Sequence, residues 1–165
     1  MWGSTKANTP DECTWANAPF NGGASDYDSR YFNSVKDTVC PNDILAKGYD
    51  AATQIMGEGW RMPTQSEFQE LIDNTNKEWA QVNGVDGYKF TSIKEGYQNN
   101  SIFIPAAGYC YGGSVEDVGS YGDVWSSSLS ASDPYNAWNL GFDSGNCGMG
   151  SRNRCSGLPV RGVRN

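Results

Sequence analysis

Hydrophobic residues alternate with small or polar residues in the segment AWNLGFD, residues 137–143. This period of two predicts a β-strand with one apolar face, because successive side chains point to opposite sides of a strand. The apolar face carries Trp138, Leu140 and Phe142. The opposite face, expected to point outward, carries Asn139, Gly141 and Asp143.

The two faces predict different responses to mutation. Burial of each large apolar side chain contributes about 1.5–3 kcal/mol, and Trp138→Ala is expected to cost about 3–5 kcal/mol. Asn139→Ala and Asp143→Ala remove no expected core contact. Each should therefore change the free energy of unfolding by no more than about 0.5 kcal/mol.

A helical period appears in GWRMPTQSEFQELIDNT, residues 59–75. Thr64 and Glu67 have the spacing of a capping box, in which each side chain bonds the backbone of the other residue. The apolar residues that follow share one helix face: Phe68, Leu71 and Ile72. A shorter helix is predicted within residues 44–56, with Gly57 ending it.

The rest of the chain has the pattern of short strands separated by turns. KEWAQVNGVDGYKFTSI (77–93) contains two turn signals, Asn83-Gly84 and Asp86-Gly87. Further strands are predicted in SIFIPAAGY, with a bend near Pro105, in DVWSSSL and in the closing LPVRGV. Two helices followed by several strands predict an α+β fold with a mostly antiparallel sheet and many loops.

Residues 1–43 have few aliphatic side chains but many aromatic ones, including Trp2, Trp15 and Phe32. Disordered segments are seldom so aromatic. We therefore expect an ordered, loop-rich N-terminal wrap around the core. No second domain or internal repeat is apparent, so residues 1–165 are expected to form one domain.

Charge and composition exclude several classes of ligand and of catalytic site. The net charge is -7 and the sequence pI about 4.5. An acidic chain is unsuited to nucleic acid or to anionic membranes, which bind mainly through Lys and Arg. There is no histidine, which excludes Ser-His and Cys-His catalysis and imidazole zinc sites.

Five cysteines are present, and we prefer extracellular disulfides to five free thiols. The predicted bridges are Cys147–Cys155, which closes a short loop, and Cys13–Cys40, which ties down the N-terminal wrap. Cys110 is then left free. Four paired cysteines allow three connectivities, so other pairings stay open.

Five segments carry a resemblance to a known family: GWRMPTQSEFQELI, FIPAAGY, GSYGDVWSSS, AWNLGFD and GLPVRGV. Their order resembles that of C-type-lectin-like domains of the Fibrobacter-type major paralogous group. They look especially like the variable proteins of diversity-generating retroelements in gut bacteria and their phages. The resemblance covers roughly residues 50–164. It implies a C-type-lectin-like fold of the formylglycine-generating-enzyme branch, with ligand binding through a C-terminal surface.

In such retroelements, adenines of a template are copied with errors, so asparagine codons become scattered substitutions. The tract AWNLGFDSGNCGMGSRNRCSG resembles an asparagine-rich template altered in this way. The resemblance therefore implies a variable binding region over residues 121–163. Such loops and faces tolerate substitution when a rigid scaffold holds them.

The alternation and the resemblance together predict one contiguous exposed binding face. Its candidate residues are Asp123, Tyr135, Asn136, Asn139, Gly141, Asp143, Gly148, Gly150, Ser151, Asn153 and Ser156. Tyr is a favoured contact residue in adaptable binding surfaces. A simpler interpretation stays open for Gly148 and Gly150, which could supply turn conformations. Arg152 and Arg154 are interpreted either as ligand contacts or as partners of acidic surface groups.

Three functional classes remain in view. The leading hypothesis is a non-enzymatic module that displays a hypervariable surface to a ligand. A carbohydrate-binding lectin is the second, although neither a Glu-Pro-Asn nor a Gln-Pro-Asp motif is present. An enzyme of the formylglycine-generating type is the third, because Cys147 and Cys155 resemble its cysteine pair. Ser126, Ser127 and Ser128 are interpreted as structural hydroxyls, since no base is available.

The expected partner is a protein ligand, with a cell-surface glycan second, and neither nucleic acid nor membrane insertion is expected. No cofactor is expected. A structural calcium ion held by Asp and Asn oxygens stays open, with no ligands assigned. The expected location is extracellular or at the cell surface, or at the virion surface if a phage encodes the chain.

Overall fold

A computed structural model describes all residues from Met1 to Asn165. The architecture is α+β and loop-rich, as predicted, but it has three α-helices instead of two. The helices are α1 (Ser29–Val39), α2 (Ala51–Met56) and α3 (Gln65–Asp73). Short 3-10 turns lie at Pro10–Glu12, Trp15–Asn17, Pro41–Asp43 and Lys47–Tyr49. None of the helices has the length and apolar character needed to cross a membrane.

Ten strands form four small sheets, and every strand pair is antiparallel. The strands are β1 (Trp60–Arg61), β2 (Thr75–Val82), β3 (Val85–Ser92), β4 (Ser101–Pro105), β5 (Tyr109–Tyr111), β6 (Ser114–Glu116), β7 (Tyr121–Leu129), β8 (Asn136–Asp143), β9 (Cys147–Asn153) and β10 (Val163–Arg164). The sheet orders are β1-β10, β2-β3-β4, β5-β6 and β7-β8-β9.

The predicted strand AWNLGFD is the centre of the three-stranded sheet β7-β8-β9. The glycine- and asparagine-rich tract after it is itself a strand, β9, which the sequence pattern did not predict. The closing LPVRGV was expected to complete the main sheet. Instead, its last residue begins β10, which pairs with β1, and Val160 only forms an isolated bridge with Trp125.

The two turn signals behave differently. Asn83 and Gly84 form the two-residue turn between β2 and β3, and both have positive φ (52° and 80°), as a tight hairpin requires. Asp86-Gly87 is not a turn, because both residues lie inside β3. Gly87 is a glycine for another reason: a Cβ there would come 2.3 Å from the Ile104 carbonyl oxygen on β4.

Helix α3 begins as its sequence predicts. Thr64 Oγ1 accepts from the Glu67 backbone N–H, and Glu67 accepts from the Thr64 backbone N–H, which completes the capping box. Helix α2 lies within the predicted range and begins at Ala51, because the Asp50 carboxylate caps it by accepting from Thr53 N (2.9 Å). Gly57 ends it with a φ of 91°.

The third helix, α1, lies inside the segment predicted to be loops. Asp28 caps it by accepting from the backbone N–H groups of Arg30 and Tyr31. Only Phe32 and Val39 are buried along it. With so few apolar positions the helix period is faint, and the polar composition of the segment conceals it.

Two large apolar clusters form the core on opposite sides of the β7-β8-β9 sheet. One packs Phe68 and Ile72 of α3 and the β3–β4 side chains against Val124, Leu140 and Phe142. The other joins the N-terminal segment, α1 and α2 to the far end of the sheet. Its buried members include Trp2, Phe32, Leu45, Trp125 and Ala137. The N-terminal segment is thus part of the core.

All five cysteines are free thiols, which contradicts both predicted bridges. Cys147 packs against the cluster around α3, whereas Cys155 lies in a small cluster with Met1, Trp15 and Ala18. Cys40 lies in the core beside Phe32 and Val39, and Cys13 lies elsewhere, against Gly157 and Cys110. Sequence proximity could not show this, because neighbouring positions in the tract point into different clusters.

Glu67 gives the fold a pH dependence. Its carboxylate accepts two hydrogen bonds from the Arg61 guanidinium (2.5 and 2.6 Å), which lowers the Glu67 pKa to about 2. The pKa is lower in the folded state, so the stabilisation is present above the unfolded value of about 4.3 and lost as pH falls toward 2. Because both side chains are about one-third exposed, screening limits the effect to about 1 kcal/mol.

Urea unfolding of wild type, Glu67→Gln and the exposed control Glu70→Gln should reveal this effect. Gln at position 67 keeps the capping box but loses the charge. Glu67→Gln should be less stable than wild type at pH 6 and nearly equal to it at pH 2.5. A stability difference that stayed the same at both pH values would show that the ion pair contributes nothing.

Candidate functional site

The side of the β7-β8-β9 sheet that faces away from α3 carries polar and small residues. We define this polar face by Tyr121, Asp123, Asn139, Gly141, Asp143, Gly148, Gly150 and Arg152. The strand registers place them together: Asp123 pairs with Gly141, which pairs with Gly148, while Asn139 pairs with Gly150. The second core cluster covers the far end of this side of the sheet at Trp125 and Ala137, so only part of it is open.

A buried ionic network lies at the centre of the polar face. The Asp123 carboxylate, which is fully buried, accepts hydrogen bonds from Asn139 Nδ2 and from Arg152 Nε. The Arg152 guanidinium lies 3.9 Å from the ring centroid of Tyr109 and 5.5 Å from that of Tyr121. Cation–π contacts of this kind hold an arginine in a defined position.

The network carries opposing electrostatic effects. Burial raises the pKa of the Asp123 carboxyl to about 6, although Arg152 and Asn139 act in the opposite direction. A buried carboxylate is costly unless it is paired and hydrogen-bonded. Asp123, Asn139 and Arg152 therefore depend on one another, and this network forms a fixed platform beneath the open positions.

Two of the three glycines of the polar face, Gly148 and Gly150, have room for a side chain, whereas one on Gly141 would need the Tyr121 side chain to shift. Gly141, Gly148 and Gly150 all lie outside the positive-φ region, so their backbone suits any residue. A Cβ on Gly148 would meet nothing within 4 Å, and one on Gly150 would lie 3.4 Å from Asn139 Oδ1. On Gly141 the nearest atom would be the Tyr121 hydroxyl at 2.7 Å, at the far end of a side chain. The interpretation of Gly148 and Gly150 as turn residues is therefore wrong.

Three candidate residues lie at the end of the sheet. Asn136 and Asn153 are cross-strand partners on β8 and β9. Asn153 Nδ2 donates to the Tyr135 hydroxyl (3.4 Å), which also accepts from Trp15 Nε1 (3.1 Å). The Tyr135 ring is tilted against the Trp15 ring, with the ring centroids 4.7 Å apart. Tyr135 is thus half-buried in the N-terminal aromatic cluster and not freely exposed.

The last two candidates lie beside a shallow cleft of about 320 Å³. Its lining residues are Tyr109, Tyr111, Ser151, Arg152, Asn153 and Ser156. Ser151 is exposed, whereas Ser156 is buried. Arg152 belongs to both the cleft and the polar face and so connects them. Six of the eleven candidates lie on the polar face and three line the cleft, whereas Tyr135 and Asn136 lie at the margin.

The predicted exposure is wrong for Asp123, Asn139 and Ser156, which are all buried. The period of two did assign Asn139 to the side opposite Leu140, but Asp123 and Arg152 cover it there. Trp138 lies on the α3 side as predicted and is only half-buried. The stability costs expected from the sequence therefore change. Asn139→Ala should cost more than about 0.5 kcal/mol, and Trp138→Ala should cost less than about 3–5 kcal/mol.

Tyr109 and Tyr121 were missed as parts of the site. Arg152 was interpreted as a ligand contact or as a partner of an acidic surface group, and it pairs instead with the buried Asp123. Arg152 could have been assigned, because it continues the alternation of Gly148 and Gly150 along β9. Nothing local signals Tyr109, because β5 reaches the face only through tertiary packing. Arg154, in contrast, is fully buried and contacts no acidic surface group.

The polar side chains near the site hold the fold together. Ser126 Oγ donates to the Trp138 carbonyl (2.8 Å), Ser127 Oγ donates to the Pro63 carbonyl (3.3 Å), and Ser128 Oγ accepts from Gln65 N (3.0 Å). No three or more Cys, Asp or Glu side chains converge on a point where a metal ion could bind. The arrangement offers hydrogen-bonding and aromatic contacts to a ligand.

Comparison with protein families matches residues 1–164 to the Lcl C-terminal domain. The chain therefore belongs to the Lcl C-terminal domain family. This membership is consistent with the resemblance to variable proteins of diversity-generating retroelements. Neither the curated proteins nor the solved structures contain a significant match.

Two glycines test whether the polar face is free of packing constraints. Gly148→Ala should leave stability within about 0.5 kcal/mol of wild type or raise it slightly, because alanine restricts the unfolded chain. Gly122→Ala, on the packed side, should cost about 1–3 kcal/mol, because its Cβ would lie 2.0 Å from the Phe142 ring. Denaturant unfolding measures both. Equal costs for the two would refute the assignment of faces.

Substitution of two aspartates should distinguish the buried platform from the open surface. Asp123→Ala leaves Arg152 and Asn139 without their hydrogen-bond acceptor and should lower the free energy of unfolding by about 2–3 kcal/mol. Asp143→Ala removes only exposed hydrogen bonds from Gly145 N and Asn146 N (2.7 and 2.9 Å), which should cost about 0.5–1 kcal/mol. Thermal and urea unfolding would compare them, and an Asp143→Ala variant as unstable as Asp123→Ala would contradict the two-level arrangement.

Proposed function

We propose that this chain is a ligand-binding display protein on a C-type-lectin-like scaffold. Its changeable contacts are Gly141, Asp143, Gly148 and Gly150 on the polar face, and Ser151, which is the cross-strand partner of Trp138 and lines the cleft beside the edge strand β9. The observation that carries the proposal is the room at Gly148 and Gly150, which have ordinary strand φ values and no close core atoms. A surface that can take different side chains without disturbing the core is what a variable binding protein needs.

The buried network supports the same proposal. Asp123, Asn139 and Arg152 fix the strand positions from which the changeable residues project. A rigid platform lowers the ordering cost of binding, which otherwise subtracts from affinity. Tyr109 and Tyr111 add aromatic contact area beside these residues, and tyrosine loses little conformational entropy on binding.

A protein is the ligand that this surface favours. Ser151 lines the shallow cleft of about 320 Å³. The other changeable positions lie on the polar face, which Arg152 connects to this cleft. Shallow surfaces with aromatic anchors and adaptable polar neighbours are typical of protein recognition. The proposed location is therefore outside the cell or on a virion, where such a ligand is reached.

We propose a non-enzymatic role. The three consecutive serines are committed to backbone hydrogen bonds. Cys147 and Cys155 belong to different packing clusters, which weakens the comparison with the cysteine pair of a formylglycine-generating enzyme. We also propose that the chain is a member of the Fibrobacter-type group and that its binding region is diversified at asparagine codons. A reverse transcriptase gene beside a near-copy of the 121–163 coding region, differing at adenines, would support them.

Two matched libraries displayed on yeast would test the function. The surface library randomises the five changeable positions, and the core library randomises Gly122, Val124, Leu140, Phe142 and Met149. Most surface clones should stay protease-resistant and yield binders to unrelated folded proteins, whereas core clones should mostly unfold.

Reversion of the five positions should abolish binding in each selected clone. Loss of folding in both libraries to the same extent would contradict the proposal. So would binding that survives reversion, or wild-type binding to arrayed glycans that is unchanged by substitutions at all five positions.

A further inference from the structure

The thiols of Cys13 and Cys110 meet beside Gly157, although the two residues are far apart in sequence. A Cβ on Gly157 would lie 2.6 Å from Cys13 Sγ and 3.8 Å from Cys110 Sγ, so both sulfurs surround one point. The thiols donate to consecutive carbonyls: Cys13 to Thr9 O and Cys110 to Pro10 O, both at 3.5 Å. The absence of a side chain at Gly157 leaves the space in which the sulfurs approach.

The backbone holds the two cysteines in this arrangement. Cys110 and Gly157 exchange backbone hydrogen bonds of 2.7 and 2.8 Å. Gly112 N donates to the Cys13 carbonyl (3.4 Å), which attaches the N-terminal segment to the β5–β6 hairpin. These hydrogen bonds hold both cysteines beside Gly157, so the two thiols that a disulfide would join face the same space.

We propose that Cys13 and Cys110 are a disulfide-forming pair, oxidised by a small-molecule disulfide such as oxidised glutathione. Cys110 attacks the oxidant and releases one thiol, and Cys13 then displaces the second thiol from the mixed disulfide. The protein loses two thiol protons and two electrons and gains one S–S bond, while the oxidant becomes two thiols. The proposal does not depend on the ligand-binding function.

Access supports this order of events. A cavity of about 370 Å³ opens beside the pair, lined by Met1, Lys6, Cys13, Cys110, Pro159 and Val160 among others. Cys110 is partly exposed, whereas Cys13 is buried. Burial and the neighbouring Cys110 thiol raise the pKa of Cys13 to about 12. The second step should therefore be slow at neutral pH, since the thiolate is the attacking form.

The bridge would fix the N-terminal segment against the proposed binding surface. Cys110 lies between Tyr109 and Tyr111, which line the cleft with Ser151 and Asn153. Closing so long a loop restricts the unfolded chain strongly. We expect oxidation to raise the unfolding temperature by roughly 5–15 °C.

Non-reducing peptide mapping tests the pairing. Folded protein would be equilibrated with oxidised glutathione, quenched in acid, alkylated and digested. Trypsin leaves Cys110 and Cys147 together in residues 95–152, so Glu-C cleavage after Glu116 is needed to separate them. The Cys13 peptide should be linked to the Cys110 peptide, and dithiothreitol should release both.

Three variants make the result decisive. Cys110→Ser and Cys13→Ala should each abolish the linked peptide and the rise in unfolding temperature, while the reduced proteins keep a cooperative transition. Cys147→Ser, which removes a thiol in another cluster, should leave both unchanged. Five alkylatable thiols after oxidation of wild type would overturn the proposal, as would a bridge from Cys13 to Cys155 or Cys40.

Discussion

The enclosure of Arg154 by aromatic rings is the interaction on which the rest of the structure depends. Its guanidinium lies 3.9 Å from the ring centroid of Phe32 and between 5.3 and 5.9 Å from those of Tyr27, Trp15 and Trp2. The residue is fully buried, and burial lowers its pKa. The ring faces, together with the hydrogen bond from Nε to the Pro134 carbonyl (2.7 Å), reduce that cost.

This enclosure connects three distant segments of the chain. The Arg154 carbonyl accepts from Trp2 N, and its N–H donates to the Tyr135 carbonyl, both at 3.1 Å. The N-terminal segment, the start of β8 and the end of β9 are thereby joined. Arg152, two residues earlier, then reaches Asp123 on the polar face. Arg154 thus connects three segments of the fold, and Arg152 on β9 connects the same region of the chain to the binding platform.

The sequence predicted those features that depend on local patterns. The capping box at Thr64, the turn at Asn83-Gly84 and the two faces of β8 all follow from spacing along a few residues. Strand β9 was missed because Gly148 and Gly150 have little strand propensity. The hydrogen-bonded pairing of β9 with β8 stabilises the strand in spite of this low propensity. Helix α1 was missed because only Phe32 and Val39 mark its buried side.

The site was predicted in part, and its errors have one physical cause. Period-two alternation tells which side of a strand a residue occupies, but not what covers that side. Asp123 and Asn139 lie on the predicted side, yet the long side chain of Arg152 and the rings of Tyr109 and Tyr121 cover them. A polar residue on an outward-facing strand position was therefore mistaken for an exposed one. Only tertiary contacts distinguish the platform from the changeable surface.

A complete single-substitution scan of residues 121–156 would show whether a changeable surface rests on a fixed platform. Protease resistance of displayed variants would give the unfolding free energy at every position. We expect small average losses of unfolding free energy at Gly148, Gly150 and Ser151, and large ones at Asp123, Asn139 and Arg154. Equal intolerance of substitution at the first three and the last three positions would contradict the division into a changeable surface and a fixed platform.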